Sequence, residues 1–401
     1  MRPFRALLSY AEAKAVIDSH VEAVSRTETV PLDDARGRVL AGDFAAAMDV
    51  PPFTRGAMDG YAVRARDTFG AGQFKPRILD IEGEAHAGEK TTKRVTAGTC
   101  LLISTGAMMP PGADSVVMVE DTERESDRVK IFKAVVPGAN TGKRGEDIKA
   151  GAAILNAGTY LDPGKIGVLA SQGVTEIEVF QKPRVAVLPT GEEVIPGGKK
   201  LKPGQLYDIN SHTISAVVNS NGGEPIKVGI AGDTVESLRK TIREALKNDM
   251  VVLSGGSSVG TRDLLVDVIE GWGRVLFHGV QVRPGKPTIF AVIDGKPLMG
   301  MPGYPTSCLI NSYLFLLPAV RKMARLPPRK GDAVKARLGR RVPGSTGRRQ
   351  FLTVKLVGGE AVPVFKESGA ITSIADADGY IEMAENIDLL EKGDPVVVTL
   401  F

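Results

Sequence analysis

A glycine- and serine-rich segment is the first feature of the sequence that suggests chemistry. Residues 254–260 read Ser-Gly-Gly-Ser-Ser-Val-Gly and follow the apolar run 250–253. Glycines permit a tight turn, and backbone N–H groups and hydroxyls at the start of a helix point toward a bound anion. The segment therefore predicts a phosphate-binding loop. The alternative is an ordinary strand-to-helix turn that needs glycine, because the Gly-Lys-Ser/Thr ending of a nucleotide P-loop is missing.

A second candidate is the sequence Arg283-Pro284-Gly285-Lys286-Pro287, called here the 283–287 turn. Its two cations lie three residues apart on a segment that two prolines stiffen, which suits a tetrahedral oxyanion. Solvated turn charges are the alternative interpretation. Farther along, residues 302–307 predict a sharp bend before a long helix. Ser307, near the start of that helix, either donates to an anion or acts only as a capping residue.

Three acids lie in loops. Asp59 stands in Ala-Met-Asp-Gly-Tyr-Ala after the Pro51-Pro52-Phe53 turn, Asp147 ends Gly-Glu-Asp, and Glu192 lies in Thr-Gly-Glu-Glu. Most loop acids are simply solvated, so none of the three indicates a site by itself.

Two more acids lie near predicted helix starts. Asp263 follows the glycine-rich loop, where it either favours the helix dipole or holds a divalent cation beside a bound phosphate. Asp233 is predicted to cap the helix 234–247. The four histidines show no metal-ligand spacing, and no Ser-His-Asp or reactive-cysteine arrangement is present in the sequence.

Composition narrows the class of protein. The 401 residues suggest about three domains, and 43% hydrophobic with 24% charged residues is typical of a soluble globular chain. The net charge of +4, without a run of five Lys or Arg, argues against nucleic-acid binding. Cys100 and Cys308 form no Cys-x-x-Cys motif, which favours a reducing cytoplasm over a zinc or disulfide framework. The most apolar segment, 308–320, is short and contains Asn311, so we expect a buried helix and no membrane insertion.

Several elements are expected to position these residues. The Ser9-Tyr10-Ala11-Glu12 capping box predicts a helical opening, and short apolar runs between turns predict a β-rich module at 43–140. Strands and helices alternate after residue 183, which predicts a parallel, doubly wound sheet with its ligand site at the carboxyl ends of the strands. Alternating runs after residue 334 predict a small β-domain.

Taken together and in order, residues 51–63, 144–147, 190–193, 254–260, 283–287 and 302–307 resemble the molybdopterin molybdenumtransferase family (MoeA and the gephyrin E domain). The similarity covers essentially the whole chain. It implies a multidomain fold of α/β and β parts, in which 1–42 and 141–180 form a discontinuous helical and extended dimerisation domain. The inserted β-rich domain would be 43–140, the molybdopterin-binding doubly wound α/β domain 181–326, and the small β-barrel-like domain 327–401.

The resemblance also implies an activity. The family's enzymes form an elongated homodimer, with the site between the α/β domain of one subunit and the β-rich module of the other. They insert molybdate into adenylylated molybdopterin and release AMP with the help of Mg²⁺. Molybdopterin adenylyltransferase and recipient molybdoenzymes are the implied partners, in the cytoplasm.

Residue roles follow from the motifs that match. Cleavage is assigned to Asp59, Asp147 and Glu192, and a tentative Mg²⁺ contact to Asp263. The substrate-binding set is Ser104, Thr105, Asp233, Ser254, Gly255, Gly256, Ser257, Ser258, Pro302 and Pro305. The molybdate-binding set is Arg283, Lys286, Ser307, Arg349 and Ser373. For Arg349 and Ser373, the segments 347–351 and 368–373 permit neighbouring choices.

Three departures from the family's pattern leave selectivity open. Arg283 stands where Lys is common, Tyr304 where Asn is frequent, and Thr54-Arg55-Gly56 where Asp-Asn-Ser is commoner. A guanidinium is a planar fork and an ammonium a point charge, so the choice between molybdate and tungstate is unresolved. A tungstate-inserting enzyme, a catalytically silent molybdopterin-binding or scaffold protein, and an adenylyl transferase are the competing hypotheses.

Overall fold

The structure is a computed structural model that describes residues 7–232, 234–255, 264–329, 331–366 and 369–401. The chain divides into two compact units. Unit 1 contains Met1–Val30, Gly37–Ala41 and Glu178–Phe401, and unit 2 contains Pro31–Arg36 and Gly42–Ile177. None of the helices in the described ranges is long and apolar enough to span a membrane.

The helices are α1 (Tyr10–His20), α2 (Ala65–Thr68), α3 (Pro163–Ser171), α4 (Asn210–Ser220), α5 (Val235–Ala245), α6 (Leu264–Glu270), α7 (Pro305–Asn311), α8 (Leu317–Met323) and α9 (Thr372–Ala375). Short 3-10 turns lie at Leu32–Asp34 and Val119–Asp121, and a π-helical turn at Ser312–Leu316 joins α7 to α8.

The first twelve strands are β1 (Thr27–Pro31), β2 (Phe44–Ala45), β3 (Arg55–Gly56), β4 (Gly60–Val63), β5 (Arg77–Ala85), β6 (Thr99–Ile103), β7 (Ser115–Met118), β8 (Thr122–Glu125), β9 (Arg128–Ile131), β10 (Thr141–Gly142), β11 (Ala153–Leu155) and β12 (Glu176–Phe180). The next nine are β13 (Arg184–Pro189), β14 (Val194–Ile195), β15 (Leu206–Tyr207), β16 (Glu224–Lys227), β17 (Met250–Ser254), β18 (Gly273–His278), β19 (Val282–Arg283), β20 (Ile289–Ile293) and β21 (Lys296–Met301). The last seven are β22 (Ala333–Leu338), β23 (Val342–Pro343), β24 (Arg349–Val357), β25 (Glu360–Pro363), β26 (Gly379–Met383), β27 (Leu389–Leu390) and β28 (Pro395–Leu400).

Unit 1 is built on a six-stranded sheet in the order β16-β13-β17-β21-β20-β18. Its strands carry apolar residues on both faces, as a sheet covered on both sides requires. Val187 and Val252 belong to the core that α1, α4, α7 and α8 cover, whereas Leu188 and Leu253 belong to the core under α5 and α6. The prediction of a doubly wound α/β fold is confirmed, and the apolar segment 308–320 is the buried helical region expected.

The prediction of an all-parallel sheet is wrong at β20. β16, β13, β17 and β21 run parallel, but β20 is antiparallel to both β21 and β18. Asp294 and Gly295 alone connect β20 to β21, with φ of +50° and +75°. Positive φ at both central residues is typical of a type I′ hairpin turn, which leaves no room for a crossover helix.

Two helix caps differ in how they match the sequence. The Ser9 hydroxyl accepts from the Glu12 amide at 3.3 Å and the Ser9 amide donates to the Glu12 carboxylate at 2.8 Å, so the predicted capping box is confirmed. At α5 the N-cap is Thr234, which accepts from the Ser237 amide at 3.1 Å. The prediction that residue 233 caps this helix is therefore wrong, and Asp233 itself lies outside the described residues.

The C-terminal part of unit 1 is a closed five-stranded barrel. Strands β24, β25, β22, β28 and β26 follow one another, and pairing of β24 with β26 closes the ring around Val354, Ile381 and Val398. β19 adds to this barrel by pairing in parallel with β24. The predicted small C-terminal barrel is confirmed.

Unit 2 contains a second six-stranded sheet in the order β7-β4-β6-β5-β9-β8. β4 is the second strand of this sheet, between the edge strand β7 and β6. Gly60 begins β4, and a Cβ there would lie 1.9 Å from the Val117 carbonyl oxygen of β7. A residue without a side chain is therefore required beside Asp59.

Candidate active site

Asp59 is held by the loop that follows β6. Antiparallel pairing of β4 with β6 places Gly60 opposite Ile103, so Asp59 lies beside the 104–105 segment that follows β6. The amide and hydroxyl of Thr105 donate to Asp59 Oδ1 at 2.6 and 2.9 Å. These two hydrogen bonds, the backbone one first, lower the pKa of Asp59, so the carboxylate is ionised at neutral pH.

The second oxygen of this carboxylate is available to a ligand. Asp59 is exposed, and no described residue donates to its Oδ2. Ser104, assigned to the substrate like its neighbour Thr105, is half-buried, and its amide donates to the Ala85 carbonyl at 3.1 Å. The structure thus brings Asp59 and the predicted 104–105 segment together.

The Asp147 loop runs alongside the segment that leads to Asp59. β10 pairs with β3, and the amides of Asp147 and Gly145 donate to the carbonyls of Val50 and Pro51 at 3.0 and 2.9 Å. Gly145 has a φ of +66°, which favours glycine in the turn. Asp147 itself is exposed. Two acids that are 88 positions apart in sequence therefore stand on neighbouring segments of unit 2.

Asp49 fixes this loop, and sequence reasoning did not single it out. Its carboxylate accepts from the Ala150 amide at 2.9 Å and from Arg144 Nε at 2.5 Å. Those bonds, the Ala150 bond first, lower the pKa of Asp49. An acid two residues before a rigid Pro-Pro turn is the only signal that the sequence offered for it.

In unit 1, the carboxyl ends of β13, β17 and β21 meet at one edge of the sheet. The Thr190 amide donates to the Ser254 carbonyl at 2.9 Å, and the Gly255 amide donates to the Met301 carbonyl at 3.2 Å. Gly255 has a φ of +91°, and a Cβ there would lie 2.8 Å from two oxygen atoms of Thr190. Glycine at this position is thus required by both conformation and space.

The remainder of the predicted phosphate loop lies outside the described residues. These positions are Gly256, Ser257, Ser258 and Asp263. Ser254 and Gly255 mark where the loop begins, directly after β17, and α6 begins at Leu264.

Glu192 and the two prolines of the 302–307 bend follow β13 and β21, the two strands that flank β17 in the sheet. Glu192 comes after β13 and is exposed, whereas Pro302 comes after β21 and is buried. Pro305 occupies the first turn of α7, whose N-cap is Tyr304. The interpretation of Ser307 as a helix cap is therefore wrong: it is a buried residue within the first turn of α7.

The loops after β17 and β21 lie against each other. A Cβ on Gly303 would lie 3.6 Å from the Gly255 Cα, and Asn210 Nδ2 donates to the Gly303 carbonyl at 2.8 Å. This is the edge where parallel α/β sheets bind ligands.

The 283–287 turn begins at β19, which is part of the barrel. Arg283 is exposed, and its Nη1 lies 3.4 Å from the Ser345 hydroxyl, to which it donates. Lys286 is half-buried. Asn311 donates to the Gly285 carbonyl at 3.0 Å. In the sequence its only signal was a polar residue within an apolar helical segment.

The charge of Arg349 is neutralised within the barrel. Its guanidinium pairs with Glu385 at 3.0 Å and Glu382 at 2.8 Å, and it lies 5.5 Å from the centre of the Tyr10 ring. The Arg349 hydrogen bond lowers the pKa of Glu385. In the register of β19 with β24, Arg283 is opposite Gln350, and Arg349 is opposite Val282.

This register separates the two arginines. Side chains alternate between the faces of a strand, so Arg283 and Arg349 point to opposite faces. Arg348, one position earlier, is half-buried, and no described residue forms an ion pair or hydrogen bond with its side chain. Of the neighbouring choices in 347–351, Arg348 is therefore the better candidate for an oxyanion.

Ser373 lies in the short helix α9, directly after a loop that packs on α7. It is fully buried, and its hydroxyl accepts from the Lys366 amide at 3.0 Å. Thr306 donates to the Ala370 carbonyl at 2.9 Å, which ties the loop to the first turn of α7. The predicted contact of Ser373 with molybdate stays a prediction.

A protein-only metal centre is not found in the described ranges, where no three His, Cys, Asp or Glu side chains group together. Mg²⁺ in phosphate-transfer sites is commonly held by one or two carboxylates with substrate phosphates and water. The exposed Asp59 carboxylate fits that donor set, and Asp263 lies outside the described residues.

Three family models match successive parts of the chain. The family described as MoeA N-terminal region (domain I and II) matches residues 8–173, the probable molybdopterin binding domain matches 186–322, and the MoeA C-terminal region (domain IV) matches 335–401. Molybdopterin molybdenumtransferase 2 of Mycobacterium tuberculosis is 33% identical over 93% of this chain and 95% of its own length. The molybdopterin molybdenumtransferase of Staphylococcus epidermidis is 32% identical over 99% of this chain and 96% of its own length.

The chain belongs to the molybdopterin molybdenumtransferase family. The crystal structure of a molybdopterin biosynthesis MoeA protein from Pyrococcus horikoshii has a TM-score of 0.84 and 43% identity, covering 98% of this chain and 99% of that one. A second such structure from that organism has a TM-score of 0.85 and 32% identity. Membership of the molybdopterin molybdenumtransferase family confirms the predicted resemblance, the predicted multidomain fold and the predicted enzyme class.

Proposed function

We propose that this protein inserts molybdenum into adenylylated molybdopterin and releases AMP. The observation that carries the proposal is Asp59, an exposed carboxylate whose position is fixed and whose pKa is lowered by two hydrogen bonds from Thr105. A fixed, ionised carboxylate with one available oxygen is suited to phosphoanhydride cleavage, because it organises positive charge around the reacting phosphate. Asp147 and Glu192 are the other acids that we assign to cleavage.

The phosphate side of the substrate is assigned to the edge of the α/β sheet. Ser254 and Gly255 stand there directly after β17, and they open the segment that predicts a phosphate loop. When bound, Mg²⁺ would neutralise charge on the cleaved phosphate. Asp59 Oδ2 and Asp263 are the oxygens that we assign to it.

The oxyanion side is assigned to the 283–287 turn with Ser307 and Ser373. Arg283 and Lys286 bring two cations to a tetrahedral anion, and Arg348 takes the place first assigned to Arg349. The support for this change is the pairing of Arg349 with Glu382 and Glu385.

We also propose a cytoplasmic homodimer in which each subunit has four domains with the bounds given above. Molybdopterin adenylyltransferase and recipient molybdoenzymes are the proposed partners. In this arrangement the acids of the β-rich domain serve the α/β domain of the other subunit.

Turnover of a defined substrate tests the proposed reaction. The protein is incubated with adenylylated molybdopterin, Mg²⁺ and molybdate, and AMP and metal-loaded cofactor are measured. We expect Asp59→Asn to slow AMP release roughly 100-fold or more. Asp80→Asn, an exposed acid on β5 of the same unit, is the matched control and should keep full activity.

One outcome would reject the enzyme hypothesis, and another would reject the catalytic role of Asp59. Tight binding of the adenylylated substrate without AMP release would favour the catalytically silent binding protein. An equal loss of thermal stability and activity in Asp59→Asn would make that residue structural. Parallel assays with tungstate decide between the molybdate- and tungstate-inserting alternatives.

Mixed dimers test the shared site. Subunits with Asp59→Asn and subunits with Lys286→Ala, each strongly impaired alone but with measurable residual activity, are unfolded, mixed and refolded together. If the site is built from two subunits, random pairing should restore about a quarter of wild-type activity, because half of the dimers have one intact site. No recovery, with dimers demonstrated by sedimentation, would contradict the shared site.

A further inference from the structure

A buried amide fastens the 283–287 turn to α7. Asn311, the last residue of α7, is fully buried, and its Nδ2 donates to the Gly285 carbonyl at 3.0 Å and to the Thr288 hydroxyl at 2.6 Å. The Thr288 hydroxyl donates to the same Gly285 carbonyl at 2.8 Å. These three hydrogen bonds join the Asn311 amide, the Thr288 hydroxyl and the Gly285 carbonyl in a closed triangle. The carbonyl belongs to the peptide bond between Gly285 and Lys286.

The orientation of this amide is fixed by its neighbours. The Gly285 carbonyl can only accept, so the side chain of Asn311 must present its nitrogen to it. Asn311 Oδ1 is then buried without a hydrogen-bond partner among the described residues. An unpaired buried amide oxygen is unfavourable, and an apolar residue of similar size would avoid it. Stability alone therefore does not explain an asparagine in this helix.

Gly285 shows what the amide does. Its φ is +102°, and a Cβ at this position would lie 2.4 Å from both Nδ2 and Oδ1 of Asn311. The amide thus occupies the space of the missing side chain and packs directly on the peptide. The Gly285–Lys286 peptide is thus held on one side by Asn311, while the Lys286 carbonyl accepts from the amides of Val280 and Thr288, both at 2.9 Å.

We propose that Asn311 is a positioning residue for oxyanion binding, which acts by holding the Gly285–Lys286 peptide in one orientation. This inference rests on the proposed function. A cation that is ordered before the anion arrives loses less conformational freedom on binding. Asn311 touches no substrate and acts through Lys286, with Thr288 as the second support of the same carbonyl.

Oxyanion binding and turnover are measured separately in the test. Molybdate binding to the full-length dimer is measured by calorimetry, and the KM values for molybdate and for adenylylated molybdopterin are measured by AMP release. Asn311→Leu and Thr288→Val should each raise the molybdate Kd and KM about tenfold. The KM for adenylylated molybdopterin should change less than about twofold, because it is bound elsewhere.

A double-mutant cycle separates positioning from a general structural effect. In the Lys286→Ala background, Asn311→Leu should add less than about a twofold increase in the molybdate KM. Asn248→Leu is the matched control: Asn248 is buried, donates to the Ala245 carbonyl at 3.0 Å, and precedes β17 at the end of the sheet opposite the site. It should leave both KM values unchanged.

The outcomes separate the two proposals. If the wild-type protein binds no molybdate, the proposed function fails. If the wild type binds and Asn311→Leu binds equally well, the positioning role is overturned while the proposed function stands. The positioning role would also be overturned if Asn311→Leu raised the molybdate KM by the same factor with Lys286 present and with Lys286 replaced by alanine. Thr288→Val keeps the test decisive if Asn311→Leu does not fold.

Discussion

Replacing each of two adjacent arginines by methionine is expected to produce opposite phenotypes. Arg349 forms two ion pairs, and its side chain is 28% exposed. Pairs of this exposure contribute about 0.2–1 kcal/mol each, and the contact with the Tyr10 ring contributes about 0.5–1 kcal/mol. Arg349→Met should therefore lower the free energy of unfolding by about 1–3 kcal/mol and leave molybdate binding intact.

Arg348→Met should do the reverse. Its side chain has no ion pair or hydrogen bond with any described residue, so the stability change should stay within about 0.5 kcal/mol. Losing one charged hydrogen bond to an oxyanion costs roughly 1.5–3 kcal/mol, which corresponds to about a 10- to 150-fold rise in the molybdate KM. Urea denaturation followed by circular dichroism and molybdate-dependent AMP release measure the two effects.

The pH dependence identifies the source of the lost stability. The pKa of Glu385 is lowered by its bond to Arg349, so this stabilisation is present above the ordinary glutamate pKa. It is lost as the pH falls through the lowered pKa. The stability difference between Arg349→Met and wild type should therefore shrink in acid. The reasoning would be refuted if Arg349→Met kept normal stability but used molybdate tenfold less well, while Arg348→Met behaved like the wild type.

Three further results are expected. Thr105→Val removes one of the two bonds that lower the pKa of Asp59, so the acid limb of the AMP-release pH profile should move to higher pH; an unchanged limb would contradict this. Burial raises the pKa of both Cys100 and Cys308 to about 12, so a thiol reagent at pH 8 should modify neither before unfolding; rapid labelling of the native protein would contradict it. Gly60→Ala should destabilise unit 2 by roughly 3 kcal/mol or more, since the new Cβ overlaps a carbonyl of the next strand. A denaturation curve of Gly60→Ala equal to that of the wild type would exclude that overlap.

Matched variants control two of these experiments. Thr122→Val removes a hydroxyl that donates to the Val119 carbonyl at 2.8 Å and should leave the pH profile unchanged. Gly42→Ala adds a Cβ where no atom lies within 4 Å and should leave the stability of unit 2 unchanged.

Local patterns predicted the elements well because local physics determines them. The Ser9 capping box and the apolar run 250–253 specify a helix start and a buried strand from adjacent residues alone. The hairpin at β20 was missed although its signal, Asp294-Gly295, is equally local. The prediction of a parallel sheet relied on strand–helix alternation and not on these two turn residues.

The site was harder because its geometry depends on distant partners. Asp59 was predicted from its motif, but Thr105, whose hydrogen bonds fix its carboxylate and lower its pKa, is 46 positions away. The choice between Arg348 and Arg349 depends on Glu382 and Glu385 and on the register with β19, none of which a single strand pattern contains. Sequence spacing finds candidate side chains, and strand pairing decides which of them face a ligand.

The pairing of β19 with β24 has a consequence for the modularity of the chain. β19 precedes the last strands of the α/β sheet in sequence, yet its hydrogen bonds are made with the C-terminal barrel. A fragment that ends before the barrel would leave this edge unpaired and open to aggregation. Recombination that exchanged the barrel would also have to supply a strand complementary to β19. The 283–287 turn and the C-terminal barrel are therefore expected to be inherited together, and to unfold as one cooperative block.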